Sequence, residues 1–193
     1  MPAPRPGKCT PSPSNKAVAA ETLAIVKAGR YRVAAALDPA VGDPGAARAS
    51  VVDLNKSRLK AASANTTMLN CLSSLRLPPL LPGSGYKTDV VLFNGDSFAA
   101  AAWMLRGAAE SNGCLPPPLV LDFASDSNPG GGFRGNQQGT QEESLCRRSN
   151  LGACLEAVFA QTGSAGYMPD DGAVYAPDVV VFRGSVVVRK YLH

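Results

Sequence analysis

Residues 119–151 read LVLDFASDSNPGGGFRGNQQGTQEESLCRRSNL. The first five form an apolar run suited to a strand, and three consecutive glycines follow. From Gln141 to about Ala160, Leu145, Leu151, Leu155 and Phe159 are candidate core positions of a helix. A glycine loop thus joins the C-terminal end of a strand to a helix N-terminus, the place where α/β sheets bind ligands. Glycine lets a ligand come close to the main chain. Free N–H groups in such a turn, together with the positive end of the helix, make an anion site with a phosphate or diphosphate as default occupant.

Outward from this stretch the pattern repeats. TDVVLF (88–93) reads as a buried strand, NGD turns it, and SFAAAAWMLRGAAE follows as a helix capped by Asp96 or Ser97, with Trp103 in the core. Three prolines (116–118) reset the chain before the central strand. Beyond the second helix, PDVVVF (177–182) and SVVVRKYL (185–192) read as two more strands. Alternating strand and helix is the pattern of an α/β layered fold. Toward the N-terminus, residues 1–15 are a Pro/Ser-rich arm expected to be disordered, and one domain is expected over 16–193. Lys16 to about Ala36 reads as a helix with Ala19, Leu23 and Val26 on one face, broken by LDPAVGDPGA (37–46). Residues 51–71 give a mixed signal and no assignment; RLPPLLPGSGYK (76–87) is a linker or loop.

Composition narrows the classes of function. A 193-residue chain with 45% hydrophobic and 18% charged residues is a globular domain that can bury a core without staples. No apolar run approaches the roughly 20 residues of a membrane span. The five cysteines (Cys9, Cys71, Cys114, Cys146, Cys154) are scattered without a C-x-x-C pair, and the single histidine is the terminal His193. Zinc binding and a histidine-based triad are therefore not expected. The start, MPAPRPGKCTPSPSNK, lacks the apolar core of a secretory signal, which favours a reducing intracellular setting, cytoplasmic or nuclear, with an organelle transit peptide still open. Residues 1–65 hold ten Lys or Arg against four Asp or Glu, while the remainder holds nine against eleven. The basic half reads as a solvated arm or as a surface that steers an anionic polymer.

Two familiar phosphate loops fail on spacing. There is no G-x-x-x-x-G-K-[ST]. Gly130, Gly132 and Gly135 satisfy G-x-G-x-x-G, but residues 124–129 separate strand from glycines and 136–140 separate glycines from helix. The acidic residue about twenty positions on, Glu156, lies within a helix. The remaining feature is Glu142–Glu143. Neighbours on a helix point about 100° apart, so one carboxylate can face a ligand while the other orients it. The same residues fit a plainer role: Thr140 and Glu143 match a capping box, and Glu143 with Arg147 is a favourable i,i+4 pair.

The whole string LDFASDSNPGGG, eight intervening residues, then QEESLCRRSNL resembles the microbial-type poly(ADP-ribose) glycohydrolases, a branch of the macrodomain fold. The resemblance extends to VVLFNGDSFAAAAWML and YAPDVVVFR, and weakly to NKAVAAETLAIVKAGRY. It implies a three-layer α/β/α architecture with a mixed central sheet, and cleavage of ribose–ribose O-glycosidic bonds in poly(ADP-ribose) to release ADP-ribose. It implies no metal and no cofactor. The partners it implies are the polymer or ADP-ribosylated proteins, not a membrane and not a specific nucleic-acid sequence. By resemblance Glu143 is the general acid, later able to activate water, and Glu142 positions the ribose hydroxyls. Asn128 contacts the terminal ribose, Gly130, Gly131 and Gly132 close around ribose and diphosphate with Phe133 packed beside them, and Gln141 joins the substrate-binding set. A helix N-terminus favours an ionised glutamate, whereas a general acid must hold its proton. Activity that fades at high pH is therefore expected.

Family members continue past the VFR segment with further strands and a second Gly-rich, Phe-containing loop, whereas here the sequence reaches His193 soon after Arg183. The resemblance thus implies an incomplete sheet and half of the ligand clamp. Asp122 also stands where the family has asparagine, either facing solvent or lining the pocket. Three readings follow: a glycohydrolase, an ADP-ribose-binding module without turnover, and a structural domain in which Thr140–Glu143 only caps a helix. Cys146 and Cys154 are expected in the core, not as nucleophiles.

Overall fold

Ser14 opens the first helix by accepting a hydrogen bond from the Ala17 N–H, and Gly29 closes it in a left-handed turn. The computed structural model describes residues 13–33, 50–70, 89–110, 117–136, 139–163 and 167–184. Helix α1 (Asn15–Ala28) buries Ala19, Thr22 and Ile25, with Leu23 partly buried against the same core. It is shorter than expected because Gly29, at φ 70°, supplies the C-cap that L-residues supply poorly. The RYRV that follows is strand β1 (Arg30–Val33), paired antiparallel with β2 (Ser50–Asp53).

The unassigned stretch resolves into the end of β2, helix α2 (Lys56–Asn65) and strand β3 (Thr67–Asn70). The last pairs antiparallel with β4 (Gly172–Tyr175) across more than a hundred residues of sequence. Helix α3 (Ser97–Glu110) is capped as expected by Asp96, which accepts from the Ala99 N–H at 2.9 Å. The long helix expected from 141 to 160 is two helices, α4 (Gln141–Arg148) and α5 (Leu151–Thr162). The break has a cause: Ser149 is extended and bridges Val181, and the Asn150 side chain accepts from the Val180 N–H at 2.7 Å.

The chain is of the α/β class, and the sheet in the described residues is limited to two antiparallel pairs. Residues 89–93 and 119–123, read as buried strands, have no strand partner among the described residues, and Leu92 is 100% exposed. An apolar run suits a buried strand, but only hydrogen bonds from a neighbour make it one. The 177–182 run makes only the single bridge at Val181. Trp103 is 45% exposed and lies against Phe93 instead of entering the core. The 185–192 strand, the first twelve residues of the arm and the 76–87 linker lie outside the described residues.

The core joins Ala19 of α1, Phe98 of α3, Phe133 of the glycine loop, Leu145 and Cys146 of α4, and Leu151 and Leu155 of α5. Phe159 sits at its margin, edge-on to Tyr167. A polar junction holds α1 to α4. The Thr22 hydroxyl donates to the Arg147 carbonyl at 2.6 Å, and Arg183 donates to Thr22 Oγ1 and to Glu21. The 180–183 segment is thus stitched onto the end of α4, which fixes the helix whose first turn carries the two glutamates.

Candidate active site

Helix α4 begins under the glycine loop. Thr140 Oγ1 accepts from the Glu143 N–H, so half of the capping box forms. The other half does not, because the Glu143 carboxylate turns away from its own helix and onto the loop. Its Oε1 accepts from the Gly132 N–H at 3.1 Å, and its Oε2 pairs with Arg147 Nη2 at 3.2 Å. Glu142 reaches the other side of the same loop. Its Oε1 accepts from the Gly130 N–H at 2.8 Å and its Oε2 from the Ser125 N–H at 2.9 Å. Both carboxylates are buried, at 2% and 4% exposure for Glu142 and Glu143.

This corrects the expectation of a free anion cradle. The loop N–H groups are engaged: Gly130 and Gly132 by the glutamates, Gly131 by the Asn128 carbonyl, Phe133 by the Gly130 carbonyl. The anions that the turn binds in this state are the chain's own carboxylates. The glycines are required here for steric reasons. Gly130 and Gly131 have φ of 78° and 55°, and a Cβ on Gly131 would lie 3.2 Å from Glu142 Oε2.

The remaining expected residues divide. Asn128 sits exposed at the loop tip, where its side chain is accessible to a ligand. Gln141 braces the main chain: its Nε2 donates to the Leu121 carbonyl and to Ser97 Oγ, and its Oε1 accepts from the Phe123 N–H, each at 2.8 Å. Phe133 is not available to a ligand. Its ring is 1% exposed and packs against Gly130, Cys146 and Gly152, because an apolar ring beside glycines fills the space their absent side chains leave. Arg147 Nε donates to the Phe133 carbonyl at 3.1 Å, so one arginine ties the loop and the glutamate together. Glu156, weighed as a dinucleotide-binding acid, pairs with Arg134 instead.

Two participants were not legible as such in the sequence. Ser125 lends its N–H to Glu142 and its hydroxyl to the Asn128 N–H, and nothing in its spacing marks it. Tyr167 is fully buried near the site, and it follows a Gly-rich stretch that reads as a plain loop. Burial raises the Glu142 carboxyl above its ordinary range and the Glu143 charge adds to this, while the Ser125 and Gly130 N–H groups oppose it. Asp122, open in the sequence between solvent and pocket, has both oxygens sealed from solvent. Burial first, then Glu142, raises it to about 6. Burial likewise pushes the Cys146 thiol up, which makes it a packing residue and no nucleophile. Among the described residues no group of His, Cys, Asp and Glu could hold a metal, and no helix is long and apolar enough to cross a membrane.

A strand-end segment, a triple-glycine turn and a Gln-Glu-Glu helix start, locked together by the glutamates, form one unit. The family described as microbial-type PARG, catalytic domain, matches residues 19–184. The chain belongs to that family. Its fold is similar to that of poly(ADP-ribose) glycohydrolase (PARG) from Thermomonospora curvata, with TM-score 0.59 and 26% identity over 89% of this chain. The Thermomonospora curvata enzyme bound to the inhibitor ADP-HPD matches with TM-score 0.53 and 27% identity, again over 89% of this chain. The chain spans 57% and 56% of those two PARG chains. No curated protein matches it. The macrodomain-like PARG fold is thus present in a chain that spans little more than half of these solved relatives.

Proposed function

We propose that this PARG-family chain hydrolyses ribose–ribose O-glycosidic bonds in poly(ADP-ribose), releasing ADP-ribose, with Glu143 as the general acid. The observation that carries the reading is the direction of the two glutamates. A helix cap alone would fold Glu143 back to its own N-terminus, yet both carboxylates point at the glycine turn. Cleavage needs a proton on the leaving ribose oxygen while the departing sugar gains oxocarbenium character. A carboxyl group against bare main chain meets that need once the leaving oxygen comes within hydrogen-bond distance of it, and glycine puts no side chain in the way. Glu142, with one oxygen on each arm of the loop, fixes the turn that the ribose would contact. Asn128, exposed on the loop, is the residue we assign to the terminal ribose.

Burial of both carboxylates favours a second reading, an ADP-ribose-binding module without turnover. Both ligand-based readings share one consequence. Calorimetric titration with ADP-ribose gives saturable heat with a dissociation constant below about 1 mM. Absence of heat at that concentration leaves only the structural reading of Thr140–Glu143.

A further inference from the structure

The segment before the glycine loop carries a buried acid that the proposed cleavage does not use. Gln141 grips the main chain on both sides of Asp122, donating to the Leu121 carbonyl and accepting from the Phe123 N–H. The Asp122 carboxyl has both oxygens buried and no hydrogen-bond partner among the described residues. From α4, Glu142 acts on it directly. The Tyr167 hydroxyl, also buried without a described partner, is acted on by Glu142, Cys146 and Asp122 together. The arginine ion pairs among the described residues go to other acids: Arg147 to Glu143, Arg148 to Asp96, Arg134 to Glu156 and Arg183 to Glu21.

A buried carboxylate with neither counter-ion nor donor is costly, and a neutral carboxylic acid is far less so. We propose that Asp122 is a positioning residue that works as a neutral carboxylic acid beside Glu142, and that its ionisation loosens the glycine loop and weakens the hold on an anionic ligand. With Asp122 neutral, Glu142 carries the pair's single charge and keeps its bonds to Ser125 and Gly130. With Asp122 ionised, two neighbouring carboxylates repel each other and add negative potential against any anionic ligand at the loop. Titration of Asp122 at about 6 puts the change within the range of ordinary buffers. The sign follows from linkage. The folded state keeps a proton that the unfolded chain, at 3.8, has already released, so stability falls as pH rises from about 4 to about 6 and is level above.

The ligand half of this inference rests on the ADP-ribose reading; the protonation half does not. Thermal unfolding of the wild type and Asp122→Asn, followed from about pH 4.5 to 8, reads the protonation. The wild-type midpoint is expected to fall by several degrees relative to the variant up to about pH 6.5 and then to run parallel. In Glu142→Gln the break moves to lower pH, because one of the two causes is gone; this variant serves if Asp122→Asn folds poorly. ADP-ribose affinity of the wild type is expected to drop about tenfold between pH 5.5 and 7.5, with Asp122→Asn nearly flat. A midpoint difference that does not depend on pH overturns the proposal, and so do equal pH slopes of affinity in the two proteins. If neither protein binds ADP-ribose at any pH, the ligand reading and its half of the inference fall together, and the unfolding curves still decide the protonation.

Discussion

Glu143→Gln is expected to lower the release of ADP-ribose from poly(ADP-ribose) by about 10²–10⁴-fold, the span of a single general acid, while ADP-ribose affinity changes only a few-fold. The amide keeps the size of the side chain and can still accept from the Gly132 N–H, while its NH2 replaces the oxygen that paired with Arg147, so folding is checked alongside activity. What it cannot do is hand over a proton. Glu142→Gln should behave differently. Its two bonds hold both arms of the loop, so its main effect is expected on affinity. Equal polymer cleavage by wild type and Glu143→Gln would remove Glu143 from the acid role, whatever happens to binding.

The second large effect concerns Arg147. This buried guanidinium pairs with Glu143 and donates to the Phe133 carbonyl, so removing it strips a buried carboxylate of its counter-ion and frees the loop. Arg147→Met is expected to cost about 3–5 kcal/mol of folding stability, read from the denaturant midpoint. That is a large part of the whole for a domain of this size. Glu143→Gln combined with Arg147→Met is expected to recover part of the loss, because no unpaired charge is then left inside. The cycle also guards the activity comparison, since it shows how much of any lost turnover is lost fold. Strict additivity of the two changes would mean that the pair is not coupled.

The local site was legible because short-range chemistry wrote it. Thr140 caps α4, Glu143 and Arg147 meet at i,i+4, and three glycines allow a turn that the two carboxylates can enter. The destination of the carboxylates was not legible, since it depends on how the loop folds over the helix. Sequence spacing offered cap and ligand site as alternatives, and the structure uses the Thr140 half of the cap while sending Glu143 elsewhere. Phe133 packs beside the glycines as expected, though on their core side. The hollow left by Gly130 and Gly152 takes its ring into the core, which the spacing of the loop does not reveal.

The larger errors came from long-range pairing. Val90–Phe93 and Leu119–Phe123 have the composition of buried strands, and composition does not say whether a hydrogen-bonded neighbour exists. β3 and β4 lie far apart in sequence and carried no strong local signal, yet they pair. The break at Ser149–Asn150 was hidden because helical periodicity runs straight through it. Only the Val180–Val181 segment, thirty residues away, reveals it. Asp122 shows the reverse case. Its identity stood out at once, and its burial beside Glu142 gave that oddity a physical meaning.

The most direct measurement is chromatography of the products after the protein is incubated with poly(ADP-ribose) near pH 6. Free ADP-ribose is expected to accumulate as the polymer shortens, with Glu143→Gln as the inactive control. Polymer left at full length by a folded protein that binds ADP-ribose would contradict the hydrolytic account.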